Sequence, residues 1–225
     1  MLDERDAHPR LRRAMGDRAS HDYIVAALAR DHPGDAVLSE EGADDMARLV
    51  AKRVWIVDPL DGTREFGEYG RTDWAVHVAL VIDGAVAAAA VALPAYGLTL
   101  TAEPAPAAPT RATDGPPRLV VSRSRPPAVA TVVAQRIGGV LLPLGSAGAK
   151  AMAVVLGEAD IYAHSGGQYE WDSAAPTGVA AAAGLHVSRL DGAPLEYNRP
   201  DPWLPDLLIC RPEYADDVLA VTRRG

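Results

Sequence analysis

The sequence contains a single cysteine, Cys210, among 225 residues. A disulfide within the chain is therefore excluded, and so is a zinc–thiolate cluster. Cys210 follows Leu207-Leu208-Ile209, which predicts a buried strand residue. Phenylalanine also occurs only once, although 48% of the residues are apolar. The core must then rest on Ala, Val and Leu, packed closely through small side chains. Positive charge is in deficit, and the net charge of −8 argues against a groove for a nucleic-acid polymer. A small anionic substrate stays open, because a bound cation dominates the field around itself. No apolar run approaches the roughly 18 residues of a membrane span. The opening Met1-Leu2-Asp3-Glu4-Arg5-Asp6 is too charged for a secretory apolar region. The expectation is a cytoplasmic protein with no membrane partner. Its length suits one compact domain or two small lobes sharing an interface.

The most informative stretch is Val54-Trp55-Ile56-Val57-Asp58-Pro59-Leu60-Asp61-Gly62-Thr63. Its apolar and β-branched run predicts a buried strand, ending at Asp58 before a proline that cannot continue a ladder. Two carboxylates thus sit where a strand breaks into a turn. Gly62 allows close backbone approach, and its neighbours offer N–H groups to an anion. Crowded oxygen ligands suit a hard cation such as Mg²⁺. Spacing alone leaves this reading level with a bland one, an Asp-Pro turn followed by an Asp-Gly turn.

Residues 55–66, Trp-Ile-Val-Asp-Pro-Leu-Asp-Gly-Thr-Arg-Glu-Phe, resemble the first signature of the lithium-sensitive, Mg²⁺-dependent phosphomonoesterases. That superfamily holds the inositol monophosphatases, fructose-1,6-bisphosphatases and 3′(2′),5′-bisphosphate nucleotidases. Trp171-Asp172-Ser173-Ala174-Ala175-Pro176 resembles its second signature. The Arg64-Glu65-Phe66 ending is most similar to the bacterial bisphosphate nucleotidase (CysQ-type) branch. The resemblance runs from about residue 16 to the end. It implies the sugar-phosphatase fold of the inositol monophosphatases, an α+β architecture of alternating helix and sheet layers in two lobes.

The same resemblance implies a set of site residues. Glu40, Asp58 and the Leu60 carbonyl would hold one Mg²⁺, and Asp58, Asp61 and Asp172 a second. A weaker third ion near Glu40 is the alternative count. Asp17 and Thr63 would orient and deprotonate the attacking water, and the Gly62 and Thr63 amides would cradle the phosphate. Asp17 precedes Glu40 by 23 residues, as the family's water-activating aspartate does, but its Gly-Asp-Arg setting departs from the usual Thr-x-Ala-Asp form. Of the adjacent Glu40 and Glu41, the family places its ligand at the first. Asp172 could also serve as the N-cap of the Ala-rich helix that follows it.

Read in order, residues 1–16 are charged and weakly patterned. Family members usually carry a long first helix there, for which this chain has little room. A missing or shortened first helix would expose core surface and favour a homodimer. Ser20 is the expected N-cap of a helix reaching about Arg30, with Tyr23, Ile24, Ala27 and Leu28 facing inward. Ala36 to Glu41 predicts a short strand ending in acids, with Asp44 and Asp45 in an exposed loop. Asp73–Ile82, Ala85–Leu93 and Gly97–Thr101 predict an antiparallel meander turning at Asp83-Gly84. His77 within it is expected to be structural.

Residues 1–101 would form the metal-binding lobe and 102–117 a Pro/Ala-rich connector. Residues 118–225 would form the second lobe, where strands and helices alternate. Substrate contacts are expected from Arg123, Ser146, Lys150 and Glu170. Gly145-Ser146-Ala147-Gly148-Ala149-Lys150 resembles the branch's nucleotide region, and Arg123 adds positive charge. The leading expectation is hydrolysis of adenosine 3′,5′-bisphosphate to AMP and phosphate, with its sulfated relative a further substrate. Such an activity serves sulfur assimilation. Inositol-1-phosphate or fructose-1,6-bisphosphate hydrolysis is the rival, and a non-catalytic nucleotide-binding homologue is the second.

Overall fold

The computed structural model describes residues 9–108, 110–111 and 114–223. The charged start is therefore described only from residue 9, and part of the connector and residues 224–225 lie outside the described residues.

Two five-stranded sheets carry the fold. The first has the order β1 (Ala36–Ser39), β2 (Arg53–Asp61), β3 (Ala75–Ile82), β4 (Ala85–Leu93) and β5 (Leu98–Thr101). β1 and β2 run parallel, and β2 to β5 form the expected antiparallel meander. The second sheet has the order β7 (Val140–Leu144), β6 (Arg118–Ser122), β8 (Ile161–Tyr169), β10 (Trp203–Cys210) and β9 (His186–Ser188). β6 is parallel to β7 and β8, while β10 is antiparallel to β8 and β9.

Helices fill the layers between and outside the sheets. α1 (Pro9–Asp31) and α2 (Thr63–Gly67) pack together, with α1 also against β2. α4 (Ala147–Val155) and α5 (Glu170–Ala182) lie between the sheets, and α3 (Ala128–Ile137) with α6 (Ala215–Thr222) cover the far side of the second. The central core runs through both sheets, from Leu38, Ile56 and Ala89 to Ala174, Val179, Leu207 and Ile209. Its side chains are small, as the lack of phenylalanine requires. The lone Phe66 lies outside this core, edge-on to Trp74 at 5.0 Å, with the Arg12 guanidinium 5.6 Å from its ring centre.

Three elements depart from expectation. α1 is 23 residues long, so Ser20 lies inside it rather than capping it, and Asp17 is a mid-helix residue rather than a turn. Its apolar face is narrower too: Leu28 is buried, but Tyr23 is 78% exposed. β2 continues through Pro59 to Asp61. The ladder is irregular between the pairs Asp58–His77 and Asp61–Ala75, so the N–H that proline lacks is not called upon there. β8 is long, running from Ile161 to Tyr169, although the sequence from about Ala159 reads as a strand only to His164. The Asp44-Asp45 segment is also more than a loop. Arg48 is buried (1% exposed) and bonds Asp44, Asn198 Oδ1 and the Arg199 carbonyl, tying this segment to the C-terminal half.

Candidate active site

The bulge at the end of β2 turns Asp58 and Asp61 towards the start of α5, which carries Asp172. Ligand oxygens of these three lie within 4.8 Å of one another. The local chain explains how. The Leu60 N–H donates to Asp58 Oδ1 at 3.0 Å, fixing that carboxylate against its own turn. Gly62 follows with φ +85°, a backbone conformation that favours glycine, and starts α2 with Thr63. Asp172 is the third residue of α5, and its Oδ2 accepts the Tyr169 N–H at 2.7 Å. One oxygen thus caps the helix from inside while the group faces its acidic neighbours.

Asp61 is held hardest. Its Oδ1 accepts the Ala147 N–H at 3.1 Å and its Oδ2 the Gly148 N–H at 2.5 Å, so α4 docks on it across the two halves of the chain. His77 Nε2 approaches the same Oδ2 at 3.2 Å as a charge contact, without the alignment of a hydrogen bond. His77 Nδ1 bonds the Trp171 carbonyl at 3.0 Å. Both faces of this wholly buried ring therefore meet acceptors. Burial alone would lower the histidine pKa, but Asp61 and the Trp171 carbonyl raise it overall. The same contacts oppose burial at Asp61 and leave its carboxyl below the ordinary range.

The remaining acids show what crowding without a cation does. Burial, then the charges of Asp61 and Glu40, push Asp58 well above its ordinary value. Burial and Asp61 raise Asp172 to about 6. Glu40, at the open side of the cluster, is raised to about 7 by burial and by Asp172. Asp17 rises to about 6 through burial and its neighbour Glu41, and its Oδ1 has no hydrogen-bond partner. Convergent carboxylates that resist ionisation, with an orphaned buried oxygen nearby, are a donor set suited to a hard divalent cation.

Three of these acids, Glu40, Asp61 and Asp172, border a cavity of about 810 Å³. Gly62, the turn Ser122–Arg125, His164 and Gly166–Tyr169 line it with them. Tyr169 and Trp171 stack at 4.7 Å and 12°, and Trp203 adds a third aromatic surface.

The expected substrate residues fare differently. Ser146 borders the cavity but spends its Oγ capping α4, accepting the Ala149 N–H at 2.9 Å. Lys150 is 4% exposed, and its Nζ donates to the Gly145 and Ser146 carbonyls above the Tyr162 ring. Burial lowers its pKa against the pull of Asp61 and Asp172. Lys150 is a fixed counter-charge to the acids rather than a free arm. Arg123 is taken up by Glu68 at 2.7 Å and Glu65 at 2.8 Å, an ion-pair lock between α2 and the second sheet. Glu170 is fully buried and does not line the cavity; its carboxylate accepts the Asn198 and Arg199 N–H groups at 2.7 and 2.9 Å. Thr63 and Leu60 stay within the bulge and its following turn, with Leu60 3% exposed.

The sequence reading missed His77 as a neighbour of the acids and the Glu65–Arg123–Glu68 lock. The register partner of Asp58 was the available signal for His77, since a meander places it opposite that residue.

A layered α/β fold with an acid cluster at a strand bulge, bordering a cavity lined by basic and aromatic side chains, is the arrangement of a metal-dependent phosphatase. Residues 14–223 match the model of the inositol monophosphatase family, and the chain belongs to that family. It is 53% identical over 215 residues to a 3′-phosphoadenosine 5′-phosphate phosphatase of Mycobacterium bovis, covering 91% of this chain and 79% of that one. It is 33% identical over 191 residues to the 3′(2′),5′-bisphosphate nucleotidase CysQ of Escherichia coli, covering 80% and 77%. Among solved structures, CysQ from Bacteroides thetaiotaomicron superposes with a TM-score of 0.73 at 30% identity, covering 87% of this chain and 83% of that chain.

Proposed function

We propose that the protein is a Mg²⁺-dependent 3′(2′),5′-bisphosphate nucleotidase that hydrolyses adenosine 3′,5′-bisphosphate to AMP and phosphate, and also accepts its sulfated relative. The observation that carries this reading is the shared cavity. Carboxylates of Asp58, Asp61 and Asp172 converge beside it, and basic and aromatic side chains line it together with Asp61 and Asp172. A bisphosphate nucleotide has matching parts: a scissile phosphate, a second anion and a flat base. The names of the similar proteins in M. bovis and E. coli support the same substrate class.

In this reading Asp58, Asp61 and Asp172 would hold the metal with Glu40 and the Leu60 carbonyl, as two Mg²⁺ ions, with a weaker third near Glu40 the alternative count. When bound, Mg²⁺ neutralises the phosphate dianion and makes the attacking water more acidic. The protein's own groups do the rest. Asp17 and Thr63 orient that water and accept its proton. The Gly62 and Thr63 amides face the phosphate, while Ser146 and Lys150 shape the wall beside it. Asp61 keeps its aim because α4 amides and His77 fix both its oxygens. We read the protein as a cytoplasmic enzyme that removes a by-product of sulfur assimilation. No helix among the described residues is long and apolar enough to cross a membrane.

The test is phosphate release from adenosine 3′,5′-bisphosphate with and without Mg²⁺. Release should require Mg²⁺, weaken in millimolar Li⁺, and fall at least about 100-fold in Asp61→Asn. Faster release from inositol-1-phosphate or fructose-1,6-bisphosphate would keep the metal site and move the substrate. Binding of the nucleotide without turnover of any ester would leave a non-catalytic homologue.

A further inference from the structure

The basic side chains lining the cavity are Arg64, Arg123, Arg125, Lys150 and His164. All but one are already engaged. Arg64 pairs with Glu68 at 3.4 Å, and Arg123 bridges Glu65 and Glu68. Lys150 donates to two carbonyls, and His164 Nε2 bonds the Gly167 carbonyl at 3.0 Å. Arg125 is exposed, and its guanidinium has no carboxylate or carbonyl partner among the described residues.

Its backbone, by contrast, is fixed. The Arg125 N–H donates to Ser122 Oγ at 3.3 Å, and the Arg123 N–H to the Leu144 carbonyl at 3.0 Å. Pro126 and Pro127 follow at once and narrow the freedom of the turn. A stationary stem therefore presents an uncompensated guanidinium to the same cavity that Glu40, Asp61 and Asp172 line, in a chain of net charge −8. The planar fork of arginine matches a pair of phosphate oxygens, and such charge-assisted bonds are among the stronger polar contacts.

We propose that Arg125 holds the second, non-scissile phosphate of the substrate and so sets the preference for bisphosphates over monophosphates. This rests on the bisphosphate reading given above. Arg123, the residue that sequence position favours, cannot take the role without abandoning Glu65 and Glu68. Lys150 would have to leave the carbonyls that satisfy it in a buried setting. Arg125 has nothing to give up, so the phosphate contact carries no cost of a broken ion pair.

The experiment compares adenosine 3′,5′-bisphosphate with adenosine 3′-monophosphate, which keeps the scissile phosphate and the base but lacks the second anion. Wild-type enzyme with Mg²⁺ should have the higher kcat/KM for the bisphosphate. Arg125→Gln should lower the ratio of the two kcat/KM values by about 10- to 100-fold, mainly through the bisphosphate KM. Arg125→Lys, with the charge but not the fork, should recover part of the ratio. The wild-type preference should weaken as salt is added, and the glutamine variant should lose that salt dependence. Melting temperature should not move, because no partner is lost. A ratio within about twofold of wild type in Arg125→Gln overturns the inference. Equal preference in the wild type itself would overturn the bisphosphate reading, and this inference with it, before any variant is made.

Discussion

Glu170 and Asp172 stand two residues apart at the start of α5, yet their carboxylates serve different ends. Asp172 faces the acid cluster, while Glu170 is buried beneath the 198–199 loop and receives two backbone N–H groups. Burial raises the Glu170 pKa, while those two amides and then the charge of Arg48 pull it back down. Truncating Glu170 leaves two part-buried backbone donors unpaired, each at the lower end of the range, about 1–2 kcal/mol. Glu170→Ala should therefore lose about 2–4 kcal/mol of stability in denaturant unfolding, with the KM for substrate little changed at temperatures where the variant is folded. A large KM increase in a folded variant would return Glu170 to the substrate site. Its role was invisible in the sequence because its partners are main-chain amides 28 and 29 positions away, and no side-chain pattern announces them. Asp58, Asp61 and Asp172 were legible for the opposite reason. Each lies in a short motif that itself contains the strand end or helix start that aims it.

At the scale of elements, the site depends on α4 meeting the first sheet closely. Gly148 lies against the His77 ring and Ala75, so a Cβ there would overlap both. Neither neighbour can yield easily, because Ala75 is part of a buried strand and His77 is wedged between Asp61 and Trp171. Gly148→Ala should push α4 back, weaken both amide bonds to Asp61 and loosen the metal ligands. The expected result is a loss of about 1–3 kcal/mol in stability and a lower affinity for Mg²⁺, measured by titration of the protein without substrate. Normal Mg²⁺ affinity in a folded variant would show that α4 does not position Asp61. The elements themselves were largely readable: the meander and the alternating second half follow from periodicity and turn residues. α1 reads too short because its pattern is weak, with Leu11, Met15 and Tyr23 exposed; only Pro9, a residue favoured at the first helical position, points to an earlier start. The continuation of β2 through Pro59 was hidden by a rule that holds for regular ladders and lapses at a bulge.

Over the whole molecule, the acid cluster sets folding against ionisation, and in the proposed function a bound Mg²⁺ would relieve that conflict. In the metal-free protein Glu40 is raised to about 7, Asp17 and Asp172 to about 6, and Asp58 well above its ordinary value, burial being the largest cause for each. In the unfolded chain these groups ionise near pH 4. Between about pH 4 and 7 the folded state therefore binds more protons than the unfolded one, and stability falls as pH rises through that window. His77, raised above its unfolded value, acts in the same direction: its contribution is present below about 6.5 and is lost as pH climbs through its folded pKa. Depressed acids such as Asp61 and Asp206 act oppositely, but their contribution is complete by about pH 5 and adds little slope above it. Mg²⁺ favours the ionised carboxylates, so it should both release protons on binding and restore the stability lost. Melting temperatures at pH 5 and pH 8, each with and without saturating Mg²⁺, measure this directly. The metal-free protein should melt lower at pH 8, and the rise caused by Mg²⁺ should be clearly larger there. Equal rises at both pH values would mean that metal binding releases no protons from these carboxylates, which would then be ionised already in the metal-free protein.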